Sequence, residues 1–329
     1  MQAINFFKLP EPFKTAVIKR MNFEDYIAFS MLSAKVGRLL KANPRWFRWC
    51  SISISDSGSC KIECSDRYLE DRGYIIQASF EPEQMRIRVF APIIAPGLVM
   101  TPMVIIPSLA IDEQSKLAFN GKILSSLLNA VNFEQFSMIC PARSEILEIF
   151  AFPHLEKLTS FLTTRGHLTA KEFHTLLSAS RIVHLHLDNT FHFKTSFKGV
   201  LNFNTLHLTN ASWLNQANMV AMNVRELVTT ERNPTVGVRK LRAVFTNWMK
   251  GHSDFLQTIE CKVKYQTNQT DFLNGIVRGY PEAAVPDHPP QEVEEMEIGS
   301  RTFRRTSDDK YMYVGIKRGE QVVKLFASF

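Results

Sequence analysis

Three histidines pose the first chemical question. His184 and His186 are one residue apart in HLHL, and His207 recurs in a second LHL run. On an extended chain, residues at i and i+2 project to one face, so a third imidazole on a neighbouring strand could complete a three-histidine zinc site with a position left open for water. No HExxH accompanies them, and polar side chains on a solvated strand face need no metal, so no metal ligand is assigned. Glu145 and Glu148 share a helical stretch and read as a solvated face rather than an acid–base pair. The sequence contains no GxSxG, P-loop or kinase signature set. The expectation is a binding protein without catalytic residues or cofactor.

The elements that would carry these histidines repeat. From about residue 122, a helix-like stretch is followed by an apolar-x-x-apolar-x-apolar strand, in Phe133/Phe136/Met138, Leu155/Leu158/Ser160, Ile182/Leu185/Leu187, Phe203/Leu206/Leu208, Val224/Leu227/Thr229 and Leu256/Ile259/Cys261. Central residues are 22, 27, 21, 21 and 32 apart. Most of these intervals fit the ~20–29 residues of leucine-rich repeats, although the asparagines Asn189 and Asn210 are offset by a position. TAKEFHTLLSA, SWLNQANMVA and VGVRKLRAVFTNWMKG supply the helical periodicity between strands. A curved parallel array follows, with ordinary strand–helix alternation in a non-repeat α/β domain as the alternative. In such an array, the side chains opposite the core form one concave face: His184, His186, Asp188, Thr205, His207, Thr209, Glu226, Thr230, Thr258, Glu260 and Lys262. It is a candidate grip for a protein target.

The first fifty residues read as three short helices. Phe13, Val17, Ile18 and Met21, then Tyr26, Ile27, Ser30 and Met31, recur at helical spacing, and Pro10 or Pro12 can start the first helix. Asn22 is a candidate N-cap, with Glu24 and Asp25 in the following turn, and Asn43-Pro44 ends the third helix. So few residues cannot bury every apolar face among themselves; a partner or the rest of the chain must cover some.

Residues 51–108 turn β-rich, in CSISIS, CKIECS, YIIQASF, MRIRVF and MVIIPS. After proline-rich YPEAAVPDHPP and acidic QEVEEMEIG, the runs RTFRRTSD, KYMYVGIKRG and QVVKLFASF predict two or three strands closing the array, with turns at Asp308-Asp309 and Arg318-Gly319.

The segment FFKLPEPFKTAVIKRMNFEDYIAFSMLSAKVGRLLKA, with Leu9-Pro10 and the apolar positions after it, resembles an F-box. The resemblance implies that Leu9, Pro10, Phe13, Val17, Ile18, Met21, Tyr26, Ile27 and Met31 contact a Skp-type adaptor and, through it, a cullin. The stretches FNTLHLTNASWLNQANMVAMNVRELVTTE and LRAVFTNWMKGHSDFLQTIEC, with Leu206, Asn210, Trp213, Leu214, Leu241, Phe245, Trp248, Gly251 and Leu256, are similar to the type-two F-box-associated family expanded in nematodes. That likeness implies recruitment of a protein for ubiquitination. The expected organisation is α+β with α/β character: a helical F-box module over 1–48 and a β-rich, leucine-rich-repeat-like recognition domain over 49–329, capped by a β hairpin over about 281–329.

With 329 residues, 45% of them AVILMFWYC, the chain can bury a sizeable core. The five cysteines, Cys50, Cys60, Cys64, Cys140 and Cys261, form no CxxC pair and predict reduced, packed thiols. A net charge of +7 raises the question of nucleic acid, but the basic residues fall in short runs without a recognised binding motif, which argues against such a partner. Neither an apolar run of ~18 residues nor a secretory leader is evident, so a cytoplasmic or nuclear protein with no membrane partner is expected.

Overall fold

The computed structural model describes residues 6–21, 26, 29–30, 34–42, 44–66, 73–81, 84–90, 104–107, 113–188, 197–230, 235–263, 269–286, 290–294, 300–317 and 322–328. Two compact units divide the chain: Met1–Pro141 with Glu145–Leu158, and Ala142–Ser144 with Thr159–Phe329. The boundary expected at 48/49 lies inside the first unit.

In the first unit, helix α1 (Glu11–Arg20) begins directly after Pro10 and carries Pro12 in its first turn, where a missing N–H costs no hydrogen bond. Glu11 in the first turn and Lys19 and Arg20 in the last match the helix dipole. Helix α2 (Ala34–Ala42) stops just before Asn43-Pro44 and packs on helix α3 (Glu113–Ala130). The expected cap at Asn22 with Glu24 and Asp25 lies outside the described residues. Strands β1 (Arg45–Ile54), β2 (Cys60–Asp66), β3 (Gly73–Glu81), β4 (Gln84–Phe90), β5 (Val104–Pro107) and β6 (Val131–Ala142) follow the β-rich runs. Within this unit their order is β6-β1-β2-β3-β4-β5. β1 and β6 are parallel, and every other neighbouring pair is antiparallel. A helical stretch, Ser144–His154, includes a wide turn over Leu147–Ala151.

The β1–β2 turn, Ser55-Asp56-Ser57-Gly58-Ser59, depends on Gly58. Its φ of +76° lies in the left-handed region, and a Cβ there would come 2.1 Å from Leu117 Cδ2 on α3. Ser55 Oγ accepts the Ser59 N–H at 3.1 Å and closes the turn. Cys50 and Cys64 face each other across the two strands, with their sulfurs 3.4 Å apart. All five cysteines are buried thiols outside any disulfide, and burial pushes the Cys60 and Cys140 thiols up to about 12.

The second unit contains β7 (Ser160–Gly166), α4 (Ala170–Leu177), β8 (His184–Leu187), β9 (Asn202–Leu208), α5 (Gln216–Ala221), β10 (Asn223–Thr229), α6 (Val238–Met249), β11 (Thr258–Lys262), α7 (Gln269–Val277), α8 (Gln291–Glu294), β12 (Arg301–Arg304), β13 (Tyr311–Ile316) and β14 (Val322–Ser328). β7 to β11 are parallel and lie side by side in chain order. Leu185, Leu206, Leu227 and Ile259 stand in one register row, so the sequence repeat from Leu185 onward is a physical stack. The earlier member Leu155/Leu158/Ser160 is displaced. Phe161, not Leu158, stands beside Leu185, because Phe152–His154 forms a tight turn and the strand begins only at Ser160.

The helices start where local chemistry allows. Thr169 caps α4, accepting the Glu172 N–H, while the Glu172 carboxylate takes the Thr169 N–H. Asn215 and Asn218 exchange the same pair of bonds at α5. Trp213 packs edge-on against Phe173, with centroids 4.9 Å apart. The three C-terminal runs form an antiparallel meander, β12-β13-β14, and β14 pairs with β11. Of the two or three strands expected here, all three runs form one, so the hairpin of KYMYVGIKRG and QVVKLFASF is extended by RTFRRTSD.

Candidate functional site

Alternation decides which side chains stay outside. In β8 and β11, and over residues 205–208 of β9, the buried residues alternate with partly or fully exposed ones, and the buried set includes Leu185, Leu187, Leu206, Leu208, Ile259 and Cys261. The side chains left over share the other face and fall into rows across the strands.

One row is His184, Thr205, Glu226 and Thr258. Thr205 Oγ1 donates to Glu226 Oε2 at 3.3 Å, which uses its single proton, so the 3.2 Å contact with His184 Nδ1 must be donated by the imidazole. The next row holds His186, His207, Val228 and Glu260, and Lys324 of β14 adjoins it. The His186 and His207 rings stack at 4.1 Å with planes 30° apart. Burial lowers the pKa of both imidazoles, most directly because a half-buried ring resists charging; for His186 the neighbouring His207 adds to this. Glu226, Asp188 and Glu260 oppose the effect at His207 without overcoming it. Among the described residues, His207 Nε2 is buried without a hydrogen-bond partner. Glu260 forms ion pairs with Lys324 at 3.3 Å and with Lys317 at 3.9 Å. Asp188, Thr209, Thr230 and Lys262 follow at the strands' C-terminal ends, where Thr209 Oγ1 donates to Leu187 O at 3.3 Å.

All eleven residues expected on the target face thus lie on or at the end of β8–β11. Lys324 and Lys317 were missed. Alternation in QVVKLFASF puts Lys324 on one side of its strand, but no local pattern says that β14 lands beside β11. The face offers imidazoles, hydroxyls and carboxylates to a ligand. Among the described residues, no group of three or more His, Cys, Asp or Glu side chains is placed to hold a metal ion, and no helix is long and apolar enough to cross a membrane.

The expected adaptor-contact residues separate into two sets. Phe13 is 63% exposed and Val17 40%, one turn apart on α1, with exposed Pro10 just before them. Leu9 and Met21 are half-buried. Ile18 and Tyr26 are buried. The Tyr26 hydroxyl donates to Ala130 O, the Arg45 guanidinium lies 5.1 Å from the Tyr26 ring centre, and Arg45 also donates to Met21 O. As the chain stands folded, Ile18 and Tyr26 serve its own core and have no surface to offer a partner. Ile27 and Met31 lie outside the described residues.

Comparison with protein-family models, curated proteins and solved structures found no match to this chain.

Proposed function

We propose that this chain is a non-enzymatic adaptor that recruits a protein target to a Skp–cullin–F-box ubiquitin ligase. The observation that carries the reading is the exposure of Phe13 and Val17 on the helix that follows Leu9-Pro10. Two apolar side chains one turn apart fit insertion into an apolar cleft of a Skp-type adaptor. The second half of the proposal rests on the polar rows of β8–β11, read as the concave face of a leucine-rich-repeat-like array that grips the target. Ubiquitin transfer then follows from proximity, since a tethered target meets the loaded enzyme at high effective concentration.

A second reading has its own support. With Ile18 and Tyr26 committed to the core, the F-box-like segment has fewer residues for docking, which favours a binding scaffold that no longer recruits the adaptor. Co-purification with a Skp-type adaptor separates the two. For the ligase reading, the unmodified chain binds and the double variant Phe13→Asp with Val17→Asp does not, while its circular dichroism is unchanged. No binding by the unmodified, folded chain would leave the scaffold reading.

A further inference from the structure

Cys50 of β1 and Cys64 of β2 are directly opposed in the antiparallel ladder, and the Cys64 thiol donates to the Cys50 sulfur at 3.4 Å. Residues opposed in this way have Cα atoms about 4.5 or 5.5 Å apart, and both spacings fall inside the range of about 4.4–6.8 Å that a disulfide spans. The backbone thus already has the separation of an oxidised pair, and closing the bond asks mainly for side-chain rotation. No other two cysteines stand opposite each other in the described ladders. Cys60 faces Ile54 and is four residues along β2 from Cys64, about 13 Å. Cys140 is on β6, on the far side of β1 from β2, so two strand spacings, about 10 Å, separate it from the strand of Cys60. Cys261 faces Val323 in the second unit.

The pair is buried, and burial raises the pKa of the Cys50 thiol, so attack from solution waits on local opening. The ladder has a place to open: its register shifts between Phe47 and Trp49, one position from Cys50. We propose that Cys50 and Cys64 are an oxidative modification site, closed to a disulfide by a peroxide when the β1–β2 ladder opens beside them. The deprotonated sulfur of one residue attacks the peroxide, the O–O bond breaks, and a sulfenic acid and water result. Reclosure brings the facing sulfur onto the sulfenic sulfur; the S–S bond forms, the S–O bond breaks and a second water leaves. Two sulfurs thereby give two electrons to one peroxide. Because the partner is held in place, this second step runs ahead of further oxidation to sulfinic acid.

The experiment treats the folded full chain with hydrogen peroxide, alkylates the remaining thiols in denaturant and maps the linkages by mass spectrometry. Cys50 is linked to Cys64, while Cys60, Cys140 and Cys261 are alkylated, and the oxidised chain melts at a higher temperature until dithiothreitol reverses the change. Cys60→Ser leaves the linkage intact; Cys64→Ser removes it. A chain oxidised while unfolded favours the short Cys60–Cys64 loop instead, because closing a short loop costs less entropy, so a Cys50–Cys64 preference reports the fold. The proposal is overturned if the folded chain keeps all five thiols, if linkages form without that preference, or if Cys50 and Cys64 reach sulfinic acid unlinked. Should Cys64→Ser fail to fold, the linkage map of the unmodified chain decides alone.

Discussion

His186 of β8 and His207 of β9 lie face to face, 4.1 Å between ring centres, in the middle of the polar face. A stack this close favours neutral rings, and burial lowers both pKa values from 6.5. The unfolded chain therefore takes up protons at higher pH than the folded one, so stability falls as pH drops below about 6.5. Urea unfolding between neutral pH and pH 5 should show that fall. In the double variant His186→Gln with His207→Gln the fall should be smaller, and in the unmodified chain imidazole NMR titrations should give both midpoints below 6.5. Asp188, Glu226 and Glu260 bound the effect from the other side.

A third histidine sharpens the same dependence in the first unit. His154 Nε2 lies 3.2 Å from Ser125 Oγ, and burial, helped by the Lys157 charge, lowers its pKa to about 4. Lys157 itself is held by Leu128 O at 2.6 Å, so the two groups cannot easily part. The folded state gives up stability from about pH 6.5 down to about 4, by about 3 kcal/mol if His154 acts alone. His154→Gln should keep a hydrogen-bonding group near Ser125 and flatten that part of the stability curve; an unchanged curve would remove His154 as its source.

Gly58 and Leu117 are coupled by geometry. Gly58→Ala places a methyl within 2.1 Å of Leu117 Cδ2 and forces a left-handed φ on alanine. The expected cost is about 2 kcal/mol, part from the backbone and part from the clash. Leu117→Ala removes the clash but opens space, at a cost of about 3 kcal/mol. Together the two changes should cost less than their sum, and a double-mutant cycle by urea unfolding measures the difference. Strict additivity would mean that Leu117 moves aside freely.

Periodicity reads well where every residue of a strand obeys one rule. The rows from Leu185 to Ile259 follow the sequence spacing because each strand buries its central apolar residue and the one two positions on, and β2 to β5 fall in the β-rich runs, whereas β1 begins at Arg45, inside the module expected to be helical. It fails at β7, where Leu155 and Leu158 mimic the repeat but sit in a turn, since apolar spacing cannot distinguish a strand from the residues leading into it. Burial was harder still. Phe13, Val17, Ile18 and Tyr26 are alike in composition, but only contacts with Ala130, Arg45 and the rest of the unit decide which two are covered. Long-range strand order, which brings Lys324 beside Glu260, has no local signature at all.

Arg305 shows how the C-terminal meander is fastened. It is 1% exposed, lies 4.7 Å from the Trp248 ring centre, and donates to Trp248 O at 3.1 Å, to Asp254 at 2.6 Å and to both carboxylate oxygens of Asp308. One side chain thus joins the end of α6, the loop before β11 and the turn between β12 and β13. The hydrogen bonds from Arg305 hold the Asp308 carboxyl well below its usual range, so the stability it contributes is present above about pH 4 and is lost as acid protonates it. Arg305→Met keeps the apolar contact with Trp248 but forfeits the hydrogen bonds, and should destabilise by about 3 kcal/mol. Arg305→Lys should recover only part, because an ammonium cannot reach Trp248 O, Asp254 and Asp308 with one planar fork. Hydrogen exchange tests where the loss falls. Faster exchange over β12–β14, with β8–β10 protected, marks Arg305 as the fastening of the meander; uniform acceleration would mean that it stabilises the whole unit.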